Sequence, residues 1–168
     1  MMMARTQKRR KAVVTLPSDT QILITRDFDA PRNLVWRAWT TPDLIKRWWH
    51  ANRGTATEAK VDLRAGGRWR WVMITHQGLE VAFHGEYREV VPDERLVYTE
   101  VYEGVPNGDD FPVVVTLTLA ERQGRTRITE LVQCPSREVR DMIIQSGMED
   151  GMQDAMDLLE GVARSLRA

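Results

Sequence analysis

The chain is predicted to fold as one α+β domain in which a strongly curved antiparallel sheet wraps around a long C-terminal helix. Three observations carry this expectation. Between residues 57 and 132 the apolar positions recur with a period of two, in six segments separated by turn residues. After Pro135-Ser136 they recur at helical spacing almost to the end of the chain. A curved sheet must bury its apolar face, and only that helix is long enough to lie across it.

The elements follow in order. Gln21 to Phe28 is rich in β-branched and apolar residues and reads as the first strand. Two short helices come next. Pro31 suits a helix's first turn, and Leu34, Val35, Ala38 and Trp39 then recur at helical spacing. Thr41-Pro42 repeats the device, with Leu44, Ile45, Trp48 and Trp49 as the apolar face. Asn52 to Thr55 is a turn. The six strands of the meander are Thr57 to Leu63, Arg68 to Ile74, Val81 to Tyr87, Leu96 to Tyr102, Val113 to Glu121 and Thr126 to Gln133. Gly66-Gly67, Pro92-Asp93-Glu94 and Gln123-Gly124 supply turns between them. The final helix carries Val139, Met142, Ile143, Met148, Met152, Ala155, Met156, Leu159, Val162 and Leu166 on one stripe. Gly147 and Gly151 fall inside it, and glycine costs about 1 kcal/mol against alanine in a helix interior. A kink, or the close approach of a backbone or ligand, would account for them.

Composition narrows the class. A chain of 168 residues with 42% hydrophobic and 29% charged residues is neither disordered nor collagen-like. No apolar run approaches the roughly 18 residues that cross a bilayer. The N-terminus is basic but lacks the apolar middle of a signal peptide, so a cytoplasmic protein without a membrane partner is expected. Lys plus Arg equals Asp plus Glu at 24 each. Five of the basic residues, Arg5, Lys8, Arg9, Arg10 and Lys11, precede residue 12, which leaves 19 basic against 24 acidic in the body. Residues 1–20 are expected to be a basic, mobile tail and residues 21–168 a single domain. Five charges without interleaved aromatics do not make a specific nucleic-acid site.

Asp29-Ala30-Pro31, Val35-Trp36-Arg37-Ala38-Trp39-Thr40, Pro42 and Trp48-Trp49 resemble the opening of the SRPBCC superfamily. Within it, the likeness is to the branch homologous to the heat-shock chaperone ATPase activator. Asp62 to Gly67, Gly85 to Val90 with Pro92, Glu94 to Val97, Pro135-Ser136, Arg140-Asp141 and Gly147 to Met152 extend the likeness from about Ile22 to Arg164. The resemblance implies a START-like helix-grip fold whose superfamily binds small hydrophobic molecules in a central cavity. Ligand carriers, polyketide cyclase-like enzymes and co-chaperone domains all belong to that superfamily, so the fold alone does not choose among them.

The candidate site is where the sheet's apolar face, the helix stripe and the short helices converge. It is expected to be a cavity bounded by Trp39, Trp48, Trp49, Trp69, Trp71, Met73, Tyr98, Met148, Met152 and Met156. Each of these residue types also serves as plain core, and Trp36 falls off the apolar face of its helix. Glu100 is the most informative polar residue. Alternation places it on the face of Leu96, Tyr98 and Tyr102. Either that face is a wet cavity, where a carboxyl would be desolvated and able to bind a donor or act as a base, or the register slips and Glu100 is an exposed residue near a strand end. Glu130, between Ile128 and Val132, poses the same question.

His50, His76 and His84 are scattered, and His84 falls on a polar strand face, so no metal site is expected. Cys134 has no adjacent base, and no cofactor motif is present. Three function classes follow: a binding module for a small hydrophobic or aromatic molecule without a defined catalytic residue, a cofactor-independent cyclase-like or hydrolytic enzyme using Glu100 or Tyr98, and a chaperone-associated interaction domain. A homodimer is compatible with all three.

Overall fold

The structure is a computed structural model and describes residues 11–167. It contains the strands β1 (Val13–Thr15), β2 (Gln21–Phe28), β3 (Gly54–Val61), β4 (Arg68–Thr75), β5 (Glu80–Val91), β6 (Arg95–Tyr102), β7 (Val113–Arg122) and β8 (Arg125–Gln133). Helices α1 (Arg32–Thr40) and α2 (Pro42–Ile45) separate β2 from β3, and α3 (Arg137–Gln145) and α4 (Met148–Ser165) follow the sheet. All strand pairs are antiparallel, in the spatial order β1-β2-β8-β7-β6-β5-β4-β3. The helical segment after β2 carries the chain to the far edge, from which β3 to β8 return as a meander. This is the expected α+β helix-grip architecture.

Alternation sets the buried face. On β2 it turns Ile22, Ile24, Arg26 and Phe28 inward, and on β7 Val113, Val115, Leu117 and Leu119. Curvature comes from extra residues, with register shifts between Ala56 and Glu58 in β3 and between Tyr87 and Glu89 in β5. Gly85 serves a close approach. A Cβ there would collide with the Thr99 carbonyl and stand 2.7 Å from the Trp69 indole nitrogen. Without one, the Trp69 Nε1–H donates to the Thr99 oxygen at 3.2 Å.

Side chains fasten α4 over the sheet. Met156, Leu159, Val162 and Ala163 are buried. The buried Arg26 guanidinium meets Asp157 at 3.0 Å and Glu160 at 3.9 Å, and its carbon lies 4.8 Å from the Phe28 ring centre. Glu160 also accepts the Asp29 backbone N–H at 3.0 Å, and so ties α4 to the entry of α1.

Three expectations need correction. The last helical stripe is two helices, not one. Ser136 caps α3 by accepting the Val139 N–H at 3.2 Å, and the chain breaks at Gly147, whose φ of 80° is open to glycine and strained for other residues. Secondly, the fold begins before residue 21. Val13–Thr15 pairs with Leu23–Thr25, and Gln153 holds Ala12 through two hydrogen bonds of 2.9 and 2.8 Å. The tail's remaining basic residues, Arg5, Lys8, Arg9 and Arg10, lie outside the described residues. Thirdly, α2 ends at Ile45, so Trp48 and Trp49 sit in the turns that follow it.

The two glycines should therefore respond oppositely to alanine. At Gly151 a Cβ would meet only Arg53, at an ordinary 3.9 Å, so Gly151→Ala should stabilise by up to about 1 kcal/mol. Gly147→Ala should destabilise by about 1–2 kcal/mol through its positive φ. Urea unfolding of both variants checks the pair, and equal signs would contradict the break at residue 147.

Candidate functional site

The period of two in β4, β5 and β6 brings side chains from three adjacent strands to the concave face. Trp69 and Trp71 come from β4, Tyr87 from β5, and Leu96, Tyr98 and Glu100 from β6. With Trp39 of α1 they line a partly open cavity of ≈ 20 Å³. That is room for one group about the size of a water molecule.

The aromatic rings form a continuous network. Trp69 lies 5.1 Å from Trp71 and 5.7 Å from Tyr98, centre to centre, and Tyr98 lies 6.4 Å from Tyr87. Behind Trp71 stand Trp48 at 5.8 Å and Trp49 at 5.7 Å, both nearly edge to face. Trp48 is fixed by donating its indole N–H to the Ala38 carbonyl at 2.9 Å, and its ring lies 5.4 Å from that of Trp39. The Trp71 Nε1–H is buried, with no oxygen or nitrogen acceptor among the described residues. Aromatic faces are weak acceptors, and three rings, Trp48, Trp49 and Trp69, stand around it.

Among the expected site residues, the structure therefore brings Trp39, Trp69, Trp71, Tyr98 and Glu100 to the cavity. Trp48 and Trp49 support it from behind. Met73, Met148 and Met152 are half-buried without lining it, Met156 is core, and so is Trp36, 7% exposed. Tyr87 and Leu96 join the lining, each already on the apolar face that alternation assigns to its strand.

Glu130 is the other residue that matters here. It is 9% exposed on β8, between Ile24 of β2 and Leu117 of β7. Among the described residues none donates a hydrogen bond to Glu100 or Glu130, or pairs with either. Burial raises Glu100 to about 7. Burial, and then the charge of Glu100, raises Glu130 to about 8. The Tyr98 hydroxyl is pushed well above its ordinary value by burial and then by the charges of Glu130, Glu100 and Tyr87. Two carboxyls and a phenol thus share one desolvated region.

A second polar cluster lies apart from this cavity. Arg70 holds Glu103 through bonds of 2.9 and 3.0 Å and Glu58 at 2.7 Å. His84 bridges Glu103 at 2.9 Å and Asp109 at 2.6 Å. Hydrogen bonding from Arg70 lowers Glu103 to about 2. For His84, burial acts downward, but the two carboxylates outweigh it and raise the imidazole. The cluster pins the segment after β6 to the outside of the sheet. Among the described residues, no three His, Cys, Asp or Glu side chains converge as a metal site would require.

Comparison with known proteins places this geometry. The sequence family described as Activator of Hsp90 ATPase homolog 1-like protein matches residues 29–164. A crystal structure of a Rhodobacter sphaeroides protein superposes with a TM-score of 0.84 at 27% identity, covering 94% of this chain and 100% of that one. A Mycobacterium smegmatis protein gives 0.80 at 25% identity, covering 94% and 98%. The solution structure of an AHSA1-like protein from Aeromonas hydrophila shares the fold, with a TM-score of 0.62 at 23% identity and coverage of 85% and 92%. No curated protein matches.

The carboxyl pair predicts a pH-dependent stability. Between the ordinary carboxyl value near 4.5 and about 8, the folded state holds more protons on Glu130 than the unfolded chain does. Stability from this group is therefore present at low pH and lost as pH rises through that window. Glu130→Gln should leave stability at pH 5 nearly unchanged and raise it at pH 8 by about 1 kcal/mol or more. Denaturant titrations of both proteins at the two pH values test this, and a constant difference would show Glu130 to be solvated.

Proposed function

Since this chain belongs to the family of Activator of Hsp90 ATPase homolog 1-like proteins, we propose that it acts as a binding module for a small apolar or aromatic molecule on the concave face of its sheet. The observation that carries this reading is the cavity itself, where five aromatic rings and Leu96 surround a single carboxyl. Flat rings at fixed angles suit stacking and edge contacts with an aromatic guest, and one polar group orients it.

At ≈ 20 Å³ the cavity seats the head of such a guest, and its body requires neighbouring side chains to move. The wall that gives is the meeting of the turns after α2 with the start of α4. Arg53 bonds Asp154 there at 3.0 Å, with side chains 44% and 36% exposed, and exposed pairs contribute little. Met148 and Met152 follow the break at Gly147 and pack against the core from α4, and thioethers repack at low cost.

A second reading is favoured by the nearness of Glu130 to Glu100. A carboxyl titrating at about 7 is suited to general acid–base work, so cofactor-independent proton transfer on a bound guest is the enzymatic alternative. Glu100 would exchange the proton, and Glu130 would tune it.

Tryptophan fluorescence reports on the binding reading. Titration with 2-phenylethanol and larger neutral aromatic alcohols should give a saturable change. Leu96→Phe, which fills the cavity, should weaken binding at least tenfold, while Leu96→Met, which conserves volume, should not. Circular dichroism of both variants confirms folding. No saturation by any probe overturns the reading, and equal affinity in Leu96→Phe moves the site elsewhere.

A further inference from the structure

The polar content of the cavity region is lopsided. Its titratable groups are Glu100, Glu130, Tyr98 and Tyr87, all acids, and Glu130 is nine-tenths buried without a hydrogen-bond donor among the described residues. A buried cation, Arg26, lies two residues along β2 from the cross-strand partner of Glu130. Its guanidinium pairs with Asp157 at 3.0 Å and Glu160 at 3.9 Å on α4. An isolated carboxylate in such surroundings is unfavourable, and a positive guest would remove that penalty.

The rings point to the same chemistry. Aromatic faces attract cations, more strongly where water is excluded, and a box of rings with a carboxylate on one side is a general solution for holding an ammonium group. The size agrees too, since ≈ 20 Å³ admits a nitrogen head and not a ring.

We infer that the ligand is an apolar amine whose ammonium head sits among Trp39, Trp69, Trp71, Tyr87 and Tyr98 against the Glu100 carboxylate, with Glu130 behind it. This rests on the ligand-binding reading above and names the chemical class that the site selects. The head donates to Glu100, its hydrogens face the rings, and the apolar body extends outward past the yielding wall. Glu130 supplies the second negative charge at longer range.

The charge has a thermodynamic consequence. With Glu100 at about 7 and Glu130 at about 8, the empty site is partly protonated at neutral pH. An arriving ammonium favours both ionised forms, so its binding releases protons and strengthens as pH rises from 6 to 8. A neutral guest of the same shape has no such coupling.

The test uses the full chain with 2-phenylethylamine and its neutral isostere 2-phenylethanol, by calorimetry at pH 6, 7 and 8 in buffers of different ionisation enthalpy. At pH 8 the amine should bind at least tenfold more tightly than the alcohol, with net proton release, and the advantage should shrink towards pH 6. Glu100→Gln should lower the amine-to-alcohol affinity ratio at least tenfold, and Glu130→Gln should lower it less. Gln retains the shape and removes the charge, and circular dichroism checks that each variant folds. Saturable binding of the alcohol with no preference for the amine would overturn the ammonium inference and leave the ligand-binding reading standing. If neither probe binds, both fall. An amine preference that survives the double Glu100→Gln, Glu130→Gln variant would place the cation at other acids and overturn the inference.

Discussion

The ion pair between Arg26 and Asp157 decides where α4 lies, and most of the architecture follows from that placement. A guanidinium 3% exposed cannot be left without its carboxylates, because the loss of one partner strands a buried charge. The pair therefore acts less as a source of stability than as a register mark, holding α4 over β2 and β8. An eighteen-residue helix is about 27 Å long at 1.5 Å per residue, whereas eight strands at about 4.8 Å span more than 30 Å. With the helix pinned at the β2 end, the β4 to β6 end needs another cover. The tryptophans of α1 and of the turns after α2 provide it.

That division separates two kinds of packing. Over β2, β8 and β7, aliphatic side chains such as Ile22, Leu117, Ile128 and Leu159 interlock and leave no exposed surface. Over β4 to β6, large rigid rings meet at steep angles, and rigid plates cannot fill space as aliphatic branches do. The cavity is the residue of that misfit, and Glu100 is the polar group that the misfit keeps tolerable. Gly85 belongs to the same arrangement, because the bond from Trp69 to Thr99 orients the ring that forms one wall.

How far the sequence could reveal this depended on the periodicity involved. The period of two groups side chains by face, so Trp69 with Trp71, and Tyr98 with Glu100, share a face by alternation. Whether the Glu100 face is the cavity or an exposed strand end is left open by it, because a one-residue slip reverses the assignment. Helical periodicity tells which side of α4 meets the sheet but not how far along the sheet each residue lands. For that reason Met148, Met152 and Met156 are expected at a cavity that they do not line. Gly147 was visible as an anomaly, yet only its backbone angle separates a break from a close approach. Three residues are too few to show any period, so β1 was hidden; its strand owes its place to the free edge of β2 and to the Gln153 amide. Glu130 is harder to read, because nothing local says that a strand two removed from Glu100 brings the carboxyls close enough to interact.

The register shift in β3 bears on how copies of this chain meet one another. An open sheet has two outer strands, and each exposes a row of backbone donors and acceptors on which a foreign strand can grow. Here one border is only three residues long, and the other is interrupted between Ala56 and Glu58 and carries the Lys60–Glu58 pair at 3.0 Å. Both borders resist continuation into a neighbouring molecule. A sheet so rich in apolar side chains is thereby protected from templated aggregation by the shape of its margins rather than by covering them.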